Sequence, residues 1–228
     1  MRPKTLAALA FTVAASAAAD DQSVCFGTVA RGALEGGCEM PADGANFTSY
    51  SELGRALGRT YVHCLVRDIV VVAYRDLEAS HGELRFVYGE TGKKAGGEFE
   101  PHRTHQNGTS VDFFVPVRNG SDKSVPLPTN ILNKWGYDIE FSKEGRTDEY
   151  TIDFEALALH LAALNRAAEA RGVRLAKVIL APELQPRLKR AKAWREIASE
   201  IPLSPRPSWV RHDEHYHVDF AVPCQPLD

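Results

Sequence analysis

Two histidine-rich stretches, HRTHQNGTSVD at residues 102–112 and WVRHDEHYHVD at residues 209–219, decide how this sequence is interpreted. Successive side chains on a strand alternate between its faces, so His215 and His217 would point to the same side. In the first stretch, Gly108 allows the chain to bend between a turn that contains His105 and a strand that begins near Asp112. We therefore predict that a turn and two strands bring these side chains together.

Side chains of these types are typical of a metal site. Two histidines and a carboxylate, with a fourth position left open, are the usual ligands of a catalytic zinc ion. Isolated histidines are more often structural, and we assign that role to three of them. They are His63, His81 and His160, the last at the boundary of an apolar helical stripe.

Four other residues of the second histidine stretch are not predicted to be metal ligands. On a strand, Glu214 would face away from His215 and His217. Asp219 would share their face, where it could orient an imidazole or simply be a surface charge. Trp209 and Tyr216 could line the cleft, although Trp209 is expected instead to pack in the core.

Hydrophobic periodicity predicts an α+β fold, a single compact domain in which a small antiparallel sheet carries the zinc site and helices and long loops flank it. Asp153 is the predicted N-cap of one helix. The predicted helices cover residues 61–79, 153–171 and 184–201. The predicted strands cover residues 84–88, 110–117 and 177–180, with a last strand through residues 215–222, and residues 119–149 are expected to form a loop.

The start of the chain resembles a secretory signal peptide. Arg2 and Lys4 precede an apolar run that ends in Ala17, Ala18 and Ala19, which is the layout of a cleaved leader. An uncleaved anchor is the alternative. We expect residues 1–19 to be the signal peptide, residues 20–60 an N-terminal arm with cysteines, and residues 61–228 the domain that carries the metal site. The mature chain would then be periplasmic or secreted, without a membrane span.

Charge and cysteine content limit the partners and the compartment. The net charge is −3, and residues 1–19 contain two basic and no acidic residues. Removal of residues 1–19 would therefore make the mature chain more acidic than the full sequence. An acidic balance argues against nucleic-acid binding, which relies on a basic surface. The four cysteines, Cys25, Cys38, Cys64 and Cys224, allow three disulfide pairings. A Cys25–Cys38 pair would close a small loop, Cys64 could be a buried thiol, and the sequence does not choose among these.

The histidine stretches resemble the H-x-x-G-x-x-x-D and H-x-H signatures of the zinc peptidases that include lysostaphin, D-alanyl-D-alanine peptidases and the sonic hedgehog domain. The closer resemblance is to penicillin-insensitive murein endopeptidases. It extends over most of residues 36–223. It rests on residues 96–99 (GGEF), the first histidine stretch, the following Phe113 and Phe114, the second histidine stretch and, more weakly, residues 178–182 (VILAP).

The resemblance implies that residues 61–228 form a zinc peptidase catalytic domain, and it implies specific roles for several residues. His105, Asp112 and His217 would bind one Zn²⁺ per chain, and His215 would act beside the metal in proton transfer or oxyanion stabilisation. His212 stands where many D-alanyl-D-alanine peptidases have a catalytic glutamate, so His212 or His215 would take a proton from the water and return it to the leaving amine. His102 could be an extra metal contact or an exposed loop histidine.

The implied function is hydrolysis of D-alanyl–diamino acid cross-links between peptidoglycan stem peptides, insensitive to penicillin. The sequence has no H-E-x-x-H, G-x-S-x-G or S-x-x-K motif, so a thermolysin-like site or an acylating serine has no support. Alternatives with the same type of site are a D,D-carboxypeptidase, a D-Ala-D-Ala dipeptidase and a cell-wall amidase. An alternative of another class is a non-catalytic, zinc-stabilised wall-binding module. No oligomeric state is predicted.

Overall fold

The computed structural model describes residues 23–228, so the predicted signal peptide lies outside the described residues. The strands are β1 (Val24–Thr28), β2 (Arg31–Glu35), β3 (Cys38–Glu39), β4 (Phe47–Ser49), β5 (Tyr61–Val62), β6 (Phe86–Tyr88), β7 (Ser110–Phe114), β8 (Val117–Asn119), β9 (Ser124–Val125), β10 (Tyr150–Ile152), β11 (Leu175–Ile179) and β12 (His215–Phe220). The α-helices are α1 (Glu52–Ala56), α2 (Cys64–Ser80), α3 (Phe154–Glu169), α4 (Gln185–Leu188) and α5 (Trp194–Ile197), and Ile131–Gly136 is a 3₁₀ helix. The predicted α+β class is confirmed.

A five-stranded sheet of order β11-β12-β7-β6-β4 forms the centre of the molecule. Its strands pair antiparallel except for β4 and β6, which are parallel. The register places His217 opposite Asp112 on β7 and opposite Ile179 on β11. Strands from the two histidine stretches are therefore neighbours in the sheet, although they lie about a hundred residues apart in sequence.

The two faces of this sheet carry different side chains, because successive side chains along each strand point to opposite faces. On one face, Phe113 of β7 and Tyr216 of β12 stack with ring centroids 5.5 Å apart. Tyr74 of α2 meets Phe113 edge-on, and α2 packs against α3 over this face. The opposite face is left to the polar residues of the same strands.

The helices predicted over residues 61–79 and 153–171 are present as α2 and α3, although residues 61–62 form β5 and α2 begins only at Cys64. One face of α2 is buried, formed by Val66, Ile69, Val70, Ala73, Tyr74 and Leu77. At the start of α3, the side chain of Asp153 accepts a hydrogen bond from the backbone N–H of Ala156 at 2.9 Å. The N-cap prediction is confirmed.

His160 is a core residue, so its placement at the boundary of the helix stripe is wrong. It is fully buried and stacks on Tyr74 with ring centroids 4.8 Å apart. Its Nδ1 lies in hydrogen-bond contact with the hydroxyl of Tyr216. Burial lowers the pKa of His160 to about 3, which keeps the ring neutral inside the aromatic core.

The helix predicted over residues 184–201 is instead two short helices, α4 and α5. The carboxylate of Glu155 on α3 accepts hydrogen bonds from the backbone N–H groups of Lys192 and Ala193, at 2.6 and 2.9 Å. These two groups therefore bond to a side chain from another helix instead of continuing the helical ladder. Residues 119–149, predicted as a loop, contain the last residue of β8, the whole of β9 and the 3₁₀ helix.

The N-terminal part of the described chain contributes to the central sheet through β4. Two disulfides, Cys25–Cys224 and Cys38–Cys64, tie it to the rest of the molecule. Cys64 is therefore paired, and the small Cys25–Cys38 loop does not form. The domain boundary at residue 60 stays a prediction. Within residues 23–228, no helix is both long and apolar enough to cross a membrane.

Removing the Cys25–Cys224 disulfide should destabilise the fold strongly, because it joins residues 199 positions apart and so limits the unfolded chain most. We expect Cys25→Ala/Cys224→Ala to lower the free energy of unfolding by about 2–5 kcal/mol, measured by urea unfolding. The control pair Cys38→Ala/Cys64→Ala opens a loop of 26 positions and should cost less. An equal or larger loss in the control would contradict this account.

Candidate active site

The polar face of the central sheet places Asp112, His215 and His217 together. Asp112 belongs to β7, and the two histidines, two residues apart on β12, share its face. The Nδ1 atom of His217 lies 2.9 Å from Oδ1 of Asp112. All three residues are buried, so the predicted alignment of the H-x-H pair is present in the fold.

His105 reaches the same carboxylate from the loop before β7. Its backbone is left-handed, with φ of 69°, and Gly108 follows at φ of 74°, which provides the bend predicted at that glycine. The Nδ1–H of His105 donates to the carbonyl of Thr91 at 3.1 Å, and its Nε2 faces Oδ1 of Asp112 at 3.3 Å. This Nε2 is buried and lacks a hydrogen-bond partner.

His102 lies beside His105 on the outer side of the cluster. Its Nε2 contacts Oε2 of Glu90 at 2.5 Å, and its Nδ1 is 3.7 Å from Oδ2 of Asp112. The potential ligand atoms of His102, His105 and Asp112 all lie within 4.8 Å of one another. This cluster could hold a metal ion. A buried imidazole nitrogen without a partner, next to a carboxylate, fits such an ion, because it supplies an unused lone pair to a cation.

The charges in the cluster depend on one another. Burial alone would raise the pKa of Asp112, but His105 and His215 outweigh it and hold the carboxyl well below its usual range. Burial lowers the pKa of His105. For His217, burial is outweighed by Asp219 and Asp112, which raise the pKa to about 10. A metal ion would therefore compete with a proton for the His217 nitrogen.

His215 and His212 form a second pair of imidazoles next to this cluster, with ring centroids 4.5 Å apart. Nδ1 of His215 bonds to Oε1 of Glu214 at 2.7 Å, and Nε2 lies 3.9 Å from Oδ2 of Asp112. Although burial lowers the pKa of His215, Asp112 and Glu214 outweigh it, and the net direction is upward.

His212 has the opposite electrostatic environment. Burial, reinforced by the neighbouring His215, lowers the pKa of His212 to about 4. Its Nδ1 lies 2.9 Å from the carbonyl oxygen of Val210, which can only accept, so Nδ1 carries the proton of the neutral ring. Its Nε2 is then free to accept a proton. Two adjacent histidines thus have pKa values shifted in opposite directions.

Two expectations about neighbouring residues are wrong. Glu214 does not face away from the histidines: it precedes β12, so strand alternation does not apply to it, and its carboxylate contacts His215. Trp209 is not in the core, since 47% of its surface is exposed.

Asp219 is buried and bonds to Nε2 of His217 at 2.7 Å and to the hydroxyl of Ser110 at 2.6 Å. Of the two alternatives left open for Asp219, the contacts match the orienting role.

The cluster opens into a cavity of about 710 Å³. Its lining includes the candidate residues His102, Asp112, His212, His215 and His217. Trp135, Tyr137 and Trp209 are aromatic residues in the same lining. A cleft of this size can accept a segment of an extended substrate beside the cluster.

Sequence reasoning missed Glu90 and Tyr137. Glu90 lies two residues after the end of β6, and Arg59 and His102 bond to its carboxylate. Although burial raises the pKa of Glu90, these partners outweigh it and lower the pKa to about 2. The position of Glu90 at a strand end was the available signal. Tyr137 lies in the segment predicted as a loop and had no signal.

Tyr137 contacts the centre of the cluster. Its hydroxyl accepts the backbone N–H of Glu90 at 2.8 Å and donates to Oδ2 of Asp112 at 3.4 Å. The room for this hydroxyl depends on Gly89, because a Cβ there would lie 2.5 Å from it.

If a metal ion binds at this cluster, Tyr137→Phe should weaken its binding about 10–100-fold, the usual cost of losing a group that orients a ligand. Titration with a divalent metal ion measures this. The matched control is Tyr88→Phe, whose hydroxyl bonds to Pro41. Equal behaviour of both variants would show that the Tyr137 hydroxyl does not position Asp112.

Comparison with known proteins gives one result that covers nearly the whole chain. The family model described as penicillin-insensitive murein endopeptidase matches residues 25–227. No curated protein matches the chain significantly. The matched region contains every residue of the cluster described above. The chain therefore belongs to the penicillin-insensitive murein endopeptidase family, whose members are peptidases that act on murein.

Proposed function

We propose that this protein is a zinc-dependent endopeptidase that hydrolyses the peptide cross-links of peptidoglycan. The observation that carries the zinc assignment is the buried Nε2 of His105, which has no hydrogen-bond partner and faces Asp112. Family membership supports hydrolysis of murein, and the cleft beside the cluster supports an extended substrate.

Within this proposal, His105, Asp112 and His217 hold one zinc ion. The hydrogen bond from His105 to Thr91 supports this set because it directs Nε2 into the cluster. Asp219 supports it in the same way by holding Nε2 of His217, which leaves Nδ1 directed at Asp112. His102 lies close enough to Asp112 to be a further contact. A zinc ion bound there would act as a Lewis acid and lower the pKa of a water to about 7.

The two other histidines would divide the proton transfers between them. His212 is neutral at pH 7 with Nε2 available, so it is suited to accept a proton as general base. His215 is held towards its protonated form by Asp112 and Glu214, so it is suited to donate a proton or to stabilise negative charge on the substrate oxygen. Opposite pKa shifts in neighbouring groups are a common sign of such a division.

The proposed bond is the amide between D-alanine and the diamino acid of a neighbouring stem peptide, cleaved after export to the periplasm or the outside of the cell. A digest of purified peptidoglycan, analysed by mass spectrometry, tests this choice. An endopeptidase converts cross-linked dimers into monomers, whereas a carboxypeptidase releases only free D-alanine. Bound zinc without hydrolysis at any pH would favour the non-catalytic module.

A chelator should affect this digest, and penicillin should not. We expect a chelator to stop the hydrolysis and added zinc to restore it, because the carboxylate and histidines alone supply no Lewis acid. Penicillin should leave the rate unchanged, since no acylating serine is proposed. Hydrolysis that persists in chelator, or stoichiometric covalent labelling by a β-lactam, would contradict the mechanism.

A further inference from the structure

The cleft contains cations that the proposed chemistry does not use. Four cationic side chains line it, those of Arg59, Arg103, Lys134 and Lys177. Arg59 is neutralised by Glu90, and Nζ of Lys134 lies 2.9 Å from Oδ1 of Asp138. In the described part of the chain, Arg103 and Lys177 form no ion pair within 4.0 Å. Two charges are thus left for a ligand in a protein whose net charge is −3.

Arg103 is held in place by an aromatic ring. Its guanidinium carbon lies 5.1 Å from the ring centroid of Trp209, a cation–π contact. Such stacking leaves the N–H groups at the edge of the guanidinium plane free, and their fork matches a carboxylate. Trp209 is exposed to the cleft, so the pair faces any ligand that enters.

Lys177 is placed by the sheet register. It lies opposite Asp219 on β12, and Ile179, two residues further along β11, lies opposite His217. Directly opposed residues share a face, so Lys177 stands on the same face as the metal cluster. The carboxylate of Asp219 bonds to His217 and Ser110 and forms no ion pair with Lys177. The side chain of Lys177 is exposed.

The acidic groups that line the cleft leave the positive charges of Arg103 and Lys177 largely uncompensated. Asp112 and Glu214 bond to histidines, and Glu90 bonds to Arg59 and His102. Glu100 is the remaining acidic side chain in the lining, and it is exposed. Two cations therefore face one exposed carboxylate, which favours an anionic ligand.

We propose that Arg103, stacked on Trp209, and Lys177 form a subsite for a free carboxylate of the substrate, close to the bond that is cleaved. The substrate class is then a peptide with at least one unmodified carboxyl group beside the scissile amide. This inference rests on the proposed function, since it names a feature of the same substrate.

Equilibrium binding to the zinc-loaded protein tests the subsite without turnover. The probes are two stem-peptide products that differ only in a free carboxyl group or its carboxamide. We expect the wild type to bind the carboxylate form about tenfold more tightly, as for one partly exposed charge-assisted hydrogen bond. The difference should shrink as sodium chloride is raised, because salt screens exposed charges.

Variants assign the preference to residues. Arg103→Gln and Lys177→Gln should each reduce it, and the double variant should bind both probes equally. The matched control is Lys134→Gln, in the same cleft but already paired with Asp138, and it should keep the preference. Equal binding of both probes by the wild type, or an unchanged preference in the double variant, would overturn the subsite. A peptidoglycan digest unaffected by chelator would instead overturn the proposed function, and the binding comparison would still decide the subsite.

Discussion

Asp112→Ala is expected to yield a protein that neither retains zinc nor hydrolyses peptidoglycan. Nitrogen atoms of His217, His105, His102 and His215 lie 2.9, 3.3, 3.7 and 3.9 Å from the oxygens of this one carboxylate. Its removal takes the only carboxylate out of the proposed ligand set, and three ligands are the usual minimum for a catalytic zinc. Alanine at His105 or His217 should have the same effect.

Zinc per chain and thermal unfolding measure this loss independently of activity. Zinc at 100 times its dissociation constant should stabilise the wild type by about 2.7 kcal/mol, and we expect no such shift in the variant. Asp112→Asn separates charge from shape, because it keeps the size of the side chain and removes only the anion. The control is Asp148→Ala, at an exposed position. Stoichiometric zinc together with a normal rate in Asp112→Ala would remove this residue from the ligand set.

Alanine at His212 or His215 is expected to lower the rate while zinc stays bound. The loss of a general acid or base costs about 10²–10⁴-fold. Neither residue is in the proposed ligand set, so each variant should fold and keep one zinc ion per chain. Near-normal turnover in both single variants would exclude them as proton-transfer groups.

The dependence of the rate on pH should identify the base. A general base must be unprotonated, so the rate rises with pH through its pKa. Since the pKa of His212 is lowered to about 4, the acidic limb should lie near that value and well below 6.5. This limb should vanish or shift in His212→Ala. Zinc content measured at each pH separates it from metal loss, which also increases with acidity.

The sequence by itself determined which side chains share a face. The spacing of His215 and His217, the bend at Gly108 and the N-cap at Asp153 were predicted from local pattern and are present in the structure. These features depend on a few neighbouring residues, so strand alternation and turn chemistry are sufficient to predict them.

Contacts between distant segments were outside the reach of that reasoning. The disulfide partners and the approach of Tyr137 to Asp112 each depend on where whole elements pack. The break between α4 and α5 likewise depends on Glu155 of α3, which no local pattern within residues 184–201 contains.

Only the tertiary structure decided the register that sets His217 against Asp112 across β12 and β7. A shift of this register by one residue would turn the polar side chains of one strand into the aromatic core and expose Phe113 or Tyr216 in their place. Burial of those rings under α2 and α3 therefore selects the register. Because that burial is a property of the packed chain as a whole, the sequence predicted the metal-binding residue types, while the packing determined their positions.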